Sequence, residues 1–301
     1  MSAADSLKRL ANRALPAPAA RLAKRIAVHP RYQAQARACR RGFREHGSRY
    51  PQKVLFVAGL PKSGTTWLEK MLSSYPGFHE LLIPDVAAHE MATGGSHDYE
   101  LPDDIFSRFD RMLVLTKMHV HGSPHNIRVL HDAGVNYVVL FRDLRDVAVS
   151  HHFYVSRTPW HPEYPLYRRR SVEEGLRVFA DRLLEPFADW VRSWRENRDP
   201  DRSVVFRYEE MLDDAHGALK RMAALFQLPD SPEEIRRIAE SHSFQRMSGG
   251  RSRGQEQSGS FVRKGVAGDW VNHFTPEIRD LYKGKIGSFL IEMDYEQDDN
   301  W

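Results

Sequence analysis

With 301 residues, 41% of them hydrophobic and 28% charged, the chain can build one large α/β domain or two small ones with a substantial core. No apolar run approaches the roughly 18 residues that a membrane-spanning helix needs, so no such helix is expected. Cys39 is the only cysteine. An internal disulfide and a cysteine-based zinc or iron–sulfur site are therefore excluded, and a reducing compartment is favoured.

The net charge of +4 is unevenly distributed along the chain. Residues 1–50, called the N-terminal arm below, hold 12 Lys and Arg against 2 acidic residues, whereas the remainder holds 32 basic and 38 acidic residues. Leucines and isoleucines recur in the arm at roughly helical spacing, which is typical of peripheral contact with an anionic membrane. An organelle transit peptide and a helical arm packed on its own domain are alternatives. A nucleic-acid partner is not expected, because few aromatic residues accompany the charge.

The first predicted element after the arm is a strand, turn and helix that together indicate a phosphate site. Residues 54–58 form an apolar run that predicts a buried strand, and a helix is predicted from Thr65 onward. The turn of residues 59–66 reads Gly-Leu-Pro-Lys-Ser-Gly-Thr-Thr. Such a turn directs backbone N–H groups and the positive end of the helix dipole toward an anion. In ATP-binding P-loops a lysine follows the second glycine, whereas here Lys62 precedes Gly64, so a magnesium-bound triphosphate is not expected.

Alternating strands and helices follow, which predicts a single α/β domain over residues 51–301 with a central, mostly parallel sheet flanked by helices. Residues 76–111 are predicted to be irregular. Strands are predicted at 112–116, 137–141 and 203–206, and helices at 124–132, from 143, and at 171–197, 215–226 and 232–240. Ligands of parallel sheets bind beyond the carboxyl ends of the strands. One shared site is expected there, because four polar residues each follow a predicted strand: Lys62, His119, Arg142 and Tyr208.

Residues 248–260 are rich in Ser, Gly, Arg and Gln and cannot bury much apolar surface, so a mobile segment is predicted. The segment leads into the basic residues Arg263 and Lys264 and then Gly265. A flexible run that ends in a basic cluster is suited to a lid over an anionic ligand. The alternative is a linker to the last helix.

Four sequence blocks, taken in order, resemble the PAPS-dependent sulfotransferases, in particular the cytosolic type. Residues 61–67 look like that family's loop for the 5′-phosphosulfate of PAPS (3′-phosphoadenosine 5′-phosphosulfate). Residues 117–119 correspond to its Lys-Thr-His element, which carries the general base. Residues 142–150 are similar to the segment that holds the 3′-phosphate, and residues 263–270 look like the C-terminal signature. The match spans roughly residues 53–290, and nothing in the family's core corresponds to the N-terminal arm.

The resemblance implies a P-loop-like site for the phosphosulfate, with PAPS as co-substrate and no metal. It assigns catalysis to His119 as general base with Lys62 and Lys117. It assigns donor binding to Lys62, Ser63, Gly64, Thr65, Thr66, Trp67, Arg142, Ser150, Tyr208, Phe244, Arg263, Lys264 and Gly265. Two lysines and a helix N-terminus would supply the positive field that a metal otherwise provides.

Several residues admit a second interpretation. His119 and His121 form a His-x-His pair that is able to ligate a metal, and Glu69 is a rival base, although it is more simply a surface or supporting residue. Arg142 is able to pair with Asp143 or Asp146 instead of a phosphate. Trp67 is either a core residue or a platform for adenine.

The sequence departs from the family pattern at three places. Met118 replaces the middle threonine of Lys-Thr-His, and His242 stands where the family has a threonine before Ser-Phe. The dimerisation run after Trp270 is not preserved, so the oligomeric state is left open.

The acceptor pocket is expected from residues 76–110, from residues 151–170 and from the lid. Aromatic side chains and the basic residues Arg157 and 168–170 favour a phenol, a sterol-like alcohol or an amphiphile with an anionic head. The expected reaction moves a sulfuryl group to a hydroxyl or amine of a small-molecule or lipid acceptor. The expected location is cytoplasmic, with membrane contact through the arm. The alternatives are a P-loop kinase and a non-catalytic, nucleotide-gated adaptor at a membrane surface.

Overall fold

The computed structural model describes residues 16–93, 97–260 and 262–301. Within these residues, five parallel strands form one sheet in the order β2-β3-β1-β4-β5. The strands are β1 (Val54–Gly59), β2 (His79–Glu80), β3 (Val114–Met118), β4 (Tyr137–Phe141) and β5 (Ser203–Arg207). This confirms the predicted class, an α/β domain with a central parallel sheet flanked by helices.

The helices of the described residues precede, connect and follow these strands. They are α1 (Ala17–His46), α2 (Thr65–Leu72), α3 (Pro84–Ala92), α4 (Pro124–Asp132), α5 (Leu144–Val155), α6 (Tyr164–Tyr167), α7 (Val172–Arg182), α8 (Leu184–Asn197), α9 (Tyr208–Asp213), α10 (Ala215–Phe226), α11 (Pro232–Ser241), α12 (Phe244–Ser248) and α13 (Pro276–Glu292). Short 3₁₀ turns lie at Gly47–Arg49, Ile105–Phe109 and Asp269–Asn272. No helix among the described residues is long and apolar enough to cross a membrane.

Strand β1 is buried along its whole length because both faces of the sheet are covered. Phe56 and Ala58 pack into a core with Trp190 and other residues of α8 on one face. Leu55 and Val57 pack on the other face, among residues of α2, α10 and α11. The period of two along a strand explains this division. Packing on both faces fixes the central strands in position, and because the strands are parallel their carboxyl ends lie along the same side of the sheet.

Three expectations from the sequence need correction. Residues 76–111 are not irregular throughout, since they contain β2 and α3, and Pro84 occupies the first helical turn, where its missing N–H group costs nothing. Strand β3 runs from Val114 to Met118, two residues later than predicted, because Val114 pairs with Val54 of β1. The long helix of residues 171–197 is broken at Leu183 (φ −125°), because Pro186 is tolerated only in the first turn of a new helix.

The described part of the N-terminal arm is α1, which packs against β2 and α3. Cys39 is buried, its thiol lies 3.4 Å from the His79 carbonyl oxygen, and burial raises the pKa of this thiol to about 12. The Arg31 guanidinium donates to both carboxylate oxygens of Glu80, at 2.8 and 2.9 Å. The helix is thus attached to the edge of the sheet, as one of the alternatives for the arm anticipated. Residues 1–15 of the arm lie outside the described residues.

Candidate active site

A cavity of about 1000 Å³ lies beyond the carboxyl ends of β1, β3, β4 and β5. These four strands are neighbours in the sheet, so the residues that follow them meet at one place. The cavity is lined by all but one of the residues assigned above: Lys62, Gly64, Thr65, Thr66, Trp67, Lys117, His119, Arg142, Ser150, Tyr208, Phe244, Arg263, Lys264 and Gly265. The exception is Ser63, which is fully buried behind the turn, with its hydroxyl unpaired among the described residues.

The turn between β1 and α2 has a backbone that only a few residue types adopt easily. Gly64 has φ 86°, and a Cβ atom there would lie 2.6 Å from the Tyr208 ring. Lys62 also has a positive φ, 68°, which is uncommon for a residue with a side chain and is typical of functional turns. Helix α2 begins at Thr65, and the N–H groups of a first helical turn have no partner within the helix. The turn therefore offers backbone donors to the cavity.

Lys62 is the most strongly perturbed cation of the site. Burial and the positive charges of Arg142, Lys117 and Arg263 lower the pKa of Lys62 to about 7. Its ammonium nitrogen lies 3.7 Å from the centre of the Tyr154 ring, a cation–π contact. The arrangement concentrates positive charge at one end of the cavity, where an anion is electrostatically favoured.

Lys117 projects from β3 and pairs with Glu69 of α2 at 2.6 Å. Burial raises the pKa of Glu69, and the neighbouring carboxylate of Glu80 raises it further, whereas Lys117 opposes both effects. One interpretation of the sequence made Glu69 a surface residue, but its side chain is largely buried. It does not line the cavity, whereas Lys117 does, so its contact with Lys117 is that of a supporting residue.

His119 follows β3 directly and is held from two sides. Its Nδ1 donates to the Gly59 carbonyl oxygen, which leaves Nε2 without a proton in the neutral ring, and its own carbonyl oxygen accepts from Trp190 Nε1 at 2.7 Å. Burial lowers the pKa of His119 to about 4, and Lys117 and Lys62 contribute to the shift. The sequence had suggested an imidazole titrating near neutrality. The structure instead gives one that is neutral over the whole physiological range.

Arg142 joins two of the sequence blocks. It is buried, donates to Asp146 at 2.8 Å and to the Val266 carbonyl oxygen at 2.9 Å, and stacks 4.4 Å from the centre of the Tyr208 ring. Asp146 also accepts from the N–H groups of Gly268 and Trp270, both at 2.9 Å. The pairing with Asp146, an alternative from the sequence, is therefore present. It fixes the start of α5 against the C-terminal signature and leaves Arg142 on the cavity wall.

The C-terminal signature places two more cations around one carboxylate. Arg263 and Lys264 both contact Asp269. Burial raises the pKa of Asp269, but hydrogen bonds from His273, Lys264 and Arg263 hold it well below its usual range. A side chain at Gly265 would collide with Phe244, since a Cβ atom would lie 2.1 Å from its ring.

The segment of residues 248–260 is folded back along the signature. The Arg251 guanidinium donates to the carbonyl oxygens of Gln255 and Arg263, at 2.7 and 2.8 Å. The Gly254 N–H donates to the Lys264 carbonyl oxygen at 2.9 Å. The proposed lid and the basic cluster are therefore connected by backbone contacts.

The structure also shows the surroundings of Trp67, for which the sequence left two interpretations open, and of two residues that depart from the family pattern, His242 and Val271. Trp67 is partly buried against the core but also lines the cavity, where its ring centre lies 6.4 Å from that of Tyr208. His242, which departs from the family pattern, lines the cavity and has Nε2 2.8 Å from the Ser74 hydroxyl. Val271, in the altered dimerisation run, is 50% exposed.

The other end of the cavity differs in part from expectation. Residues of 80–91 and 151–163 line it as predicted, but the aromatic residues Phe153, Tyr164 and Tyr167 and the basic residues Arg157 and 168–170 do not. The sequence analysis missed the contribution of α1, which supplies six wall residues: Ala20, Ala23, Lys24, Ala27, Val28 and Arg31. Their spacing of three and four residues marks one helical face and was available as a signal.

In the part of the chain that the structure describes, no three or more His, Cys, Asp or Glu side chains are grouped so as to hold a metal ion. His121 does not line the cavity, and its backbone N–H donates to the His97 carbonyl oxygen at 2.9 Å. The His-x-His pair is therefore not part of a recognisable metal centre among these residues.

Comparisons with known proteins agree with this geometry. The profile of the family described as "Sulfotransferase domain" matches residues 52–287. Similar curated proteins include cytosolic sulfotransferase 3 of Arabidopsis thaliana, 29% identical over 74% of this chain and 72% of that protein. Human sulfotransferase 1E1 is 25% identical over 76% of this chain and 80% of that protein.

Solved structures show the same fold. Mouse sulfotransferase SULT7A1, solved in complex with PAP, has a TM-score of 0.60 and 22% identity, covering 81% of this chain and 85% of that one. Retinol dehydratase, solved with androsterone and PAP, has a TM-score of 0.55 and 19% identity, covering 83% of this chain and 85% of that one. The family profile and the curated relatives favour the sulfotransferase interpretation over a kinase or an adaptor. The chain belongs to the sulfotransferase domain family, and the enzyme class that its motifs predicted, a PAPS-dependent sulfotransferase, is thereby confirmed.

Proposed function

We propose that this protein transfers the sulfuryl group of PAPS to a hydroxyl of a small-molecule or lipid acceptor, with an amine as the less favoured acceptor group, and with His119 as the general base. The observation that carries the proposal is the meeting, in one cavity, of a neutral histidine with an unprotonated ring nitrogen and a cluster of cations around Lys62. Few other reactions need both features together.

The donor-binding residues fit a nucleotide with phosphates at both ends. Lys62, with the first-turn N–H groups of α2, would meet the 5′-phosphate, and the buried, unpaired hydroxyl of Ser63 lies behind the same turn. Arg142, Ser150, Arg263 and Lys264 would meet the 3′-phosphate. The absence of side chains at Gly64 and Gly265 lets Tyr208 and Phe244 approach the site closely, which leaves these rings and Trp67 to border the adenine.

PAPS supplies a sulfur atom bonded to a phosphate oxygen that leaves with the negative charge. In the transfer, the acceptor oxygen forms a bond to sulfur, the bond from sulfur to the phosphate oxygen breaks, and the acceptor proton passes to Nε2 of His119. Lys62 would stabilise the charge that develops on the leaving phosphate, and Lys117 would face the sulfonate while Glu69 holds it in place. His119 is a weaker base than free imidazole but is always available in its basic form, because the pKa of about 4 lies below neutrality.

The acceptor end supports an apolar molecule rather than an amphiphile with an anionic head, because the arginines that the sequence assigned to this wall do not line it and Arg31, which does, is paired with Glu80. Androsterone and retinol are bound in structures of retinol dehydratase, a protein of the same fold. We infer that an alcohol of comparable apolar character is the acceptor here.

We further propose peripheral contact with a membrane surface through the N-terminal arm of a cytoplasmic protein. Leu22 and Ile26 are 57% and 66% exposed and lie one turn apart on α1, next to the exposed Arg25. Exposed apolar side chains beside basic ones are typical of helices that lie on anionic membranes.

The His119→Ala variant tests the proposed base. We expect kcat to fall by about 10²–10⁴, since general-base catalysis is typically worth this much, while the rise in Tm caused by adenosine 3′,5′-bisphosphate (PAP) is retained. Single-turnover transfer from ³⁵S-labelled PAPS measures the first quantity. The matched control is His121→Ala, two residues away and outside the cavity. Equal activity of the two variants would refute the assignment of His119.

A further inference from the structure

Helix α1 forms one wall of the cavity that contains His119, although the family profile begins only at residue 52. Three of the six wall residues of α1 are alanines, and two of these, Ala23 and Ala27, remain accessible along the helix. Because alanine side chains fill little volume, this wall leaves room that bulkier residues would occupy.

Two polar contacts, one on each side of Ala27 and Val28, hold this part of α1 over the cavity. The Lys24 ammonium nitrogen lies 3.3 Å from the centre of the Trp160 ring. Two turns further along, Arg31 makes its two hydrogen bonds with Glu80 beside β3. The helix is therefore fixed to two separate walls, and its small residues lie between the attachments.

Other walls of the cavity carry large apolar side chains. They include Ile83, Val86 and Met91 from α3 or just before it, and Leu183 and Phe187 at the break between α7 and α8. Transfer of apolar surface from water to such walls is favourable in proportion to the area buried. The walls accordingly suit a hydrocarbon chain or ring system.

The charges in this part of the cavity largely offset one another near neutral pH, because Arg31 is paired with Glu80 and Lys24 acts on the carboxyl group of Glu90. Burial raises the pKa of Glu90 to about 7, opposed mainly by Lys24. Burial and the neighbouring His119 hold the pKa of His97 well below its usual range. His97 lies with its ring centre 5.5 Å from that of His119, and its Nδ1 is buried without a hydrogen-bond partner among the described residues. That nitrogen lies 3.9 Å from Glu90 Oε1, and a hydroxyl group bound at His119 would lie beside the His97 ring.

We propose that the inner face of α1 completes an acceptor subsite that selects an elongated, uncharged apolar alcohol, with its hydroxyl at His119 and His97 and its chain along Ala27 and Val28. This inference rests on the proposed function and adds the class of acceptor to it. The reaction is unchanged: the alcohol oxygen bonds to sulfur, and its proton passes to His119. The specificity of the enzyme is then determined partly by a helix outside the matched family domain.

The test uses a series of straight-chain primary alcohols, from butanol to dodecanol, with ³⁵S-labelled PAPS. In the parent protein kcat/KM is expected to rise by up to about fourfold per methylene group, the value of burying one CH₂, until the cavity is filled. Ala27→Leu should decrease the chain length at which kcat/KM stops rising. It should lower kcat/KM for the longest alcohols at least tenfold, while kcat/KM for butanol changes less than twofold. Val28→Ala should extend the limit.

The matched control is Ile26→Ala, since Ile26 neighbours Ala27 but is 66% exposed and does not line the cavity. Each variant is first checked for a PAP-induced rise in Tm, and Ala27→Val replaces Ala27→Leu if the latter does not fold. A loss of the same factor for every alcohol, or an unchanged length profile in both inner-face variants, would overturn the inference alone. Failure of the parent protein to label any of these alcohols would also overturn the inference, whereas the proposed function would fall only if PAP in addition caused no rise in Tm.

Discussion

At the residue scale, Lys62 and His119 show how burial sets the charge of a group before any ligand is considered. Both are partly buried and both have a pKa below the usual value, about 7 for Lys62 and about 4 for His119. The consequences differ. A neutral His119 is ready to accept a proton, whereas Lys62 is partly neutral at pH 7 and becomes fully charged there when an anion offsets Arg142, Lys117 and Arg263.

This difference predicts that PAP binding takes up a proton through Lys62. At pH 8 the free amine is mostly neutral, so binding of the anion should raise its pKa and draw about one proton from the buffer. At pH 6 the amine is already charged and no uptake is expected; affinity should therefore fall as the pH rises above 7. Calorimetric titration in buffers with different ionisation enthalpies measures the uptake. Lys62→Arg, which stays charged, should show none, and equal uptake by this variant would contradict the prediction.

At the element scale, the site depends on loops that approach aromatic rings closely. Gly265 and Gly268 both have positive φ, 68° and 74°, and both belong to the C-terminal signature. They differ in their surroundings. A Cβ atom at Gly265 would clash with Phe244, whereas a Cβ atom at Gly268 would have no heavy atom of the described residues within 4 Å. Alanine substitutions at these two positions therefore distinguish the effect of backbone strain from the effect of a steric clash with Phe244.

We expect Gly265→Ala to weaken PAP binding at least tenfold, because Phe244 must move away from the cavity. Gly268→Ala should cost only the strain of an alanine at positive φ, about 1–3 kcal/mol of unfolding free energy, with PAP affinity nearly unchanged. Calorimetric titration and thermal unfolding measure the two effects. If both variants lost PAP affinity equally, the contact with Phe244 would have no special role.

The sequence predicted β1, β3, β4 and β5 and the polar residues that follow them, because these depend on local hydrophobic periodicity and on motif spacing. It missed β2 and α3, which lie in the segment predicted to be irregular. It did not predict the break at Leu183, since that required weighing Pro186 against a strong helical pattern. It also could not place α1 on the cavity, because that depends on distant contacts such as Arg31 with Glu80 and Lys24 with Trp160. Long-range packing was thus the missing information.

At the scale of the whole molecule, α1 has two faces with different environments. One face lines the cavity, and the other presents Leu22 and Ile26 to solvent. Residues 36 and 39 of the same helix are buried in the core, so deleting the arm would damage the domain. Point substitutions are the appropriate test of membrane contact.

The double variant Leu22→Ser, Ile26→Ser should reduce sedimentation with vesicles that contain phosphatidylserine by at least tenfold, since burial of each apolar side chain contributes about 1.5–3 kcal/mol. Val271→Ser is the control, because Val271 is another exposed large apolar residue, 50% accessible, and lies outside the arm. Unchanged sedimentation of the double variant would rule out membrane contact through this face.

The central claim is that two groups of cations and backbone donors, around Lys62 and around Arg142, Arg263 and Ser150, hold a nucleotide by both of its phosphates. Calorimetric comparison of PAP with adenosine 5′-phosphate tests it most directly. PAP should bind at least tenfold more tightly than adenosine 5′-phosphate, because hydrogen bonds to a charged group contribute about 1.5–3 kcal/mol each. Arg263→Ala should reduce this difference in affinity between the two nucleotides. Equal affinity for the two nucleotides, or no binding of either, would contradict the claim.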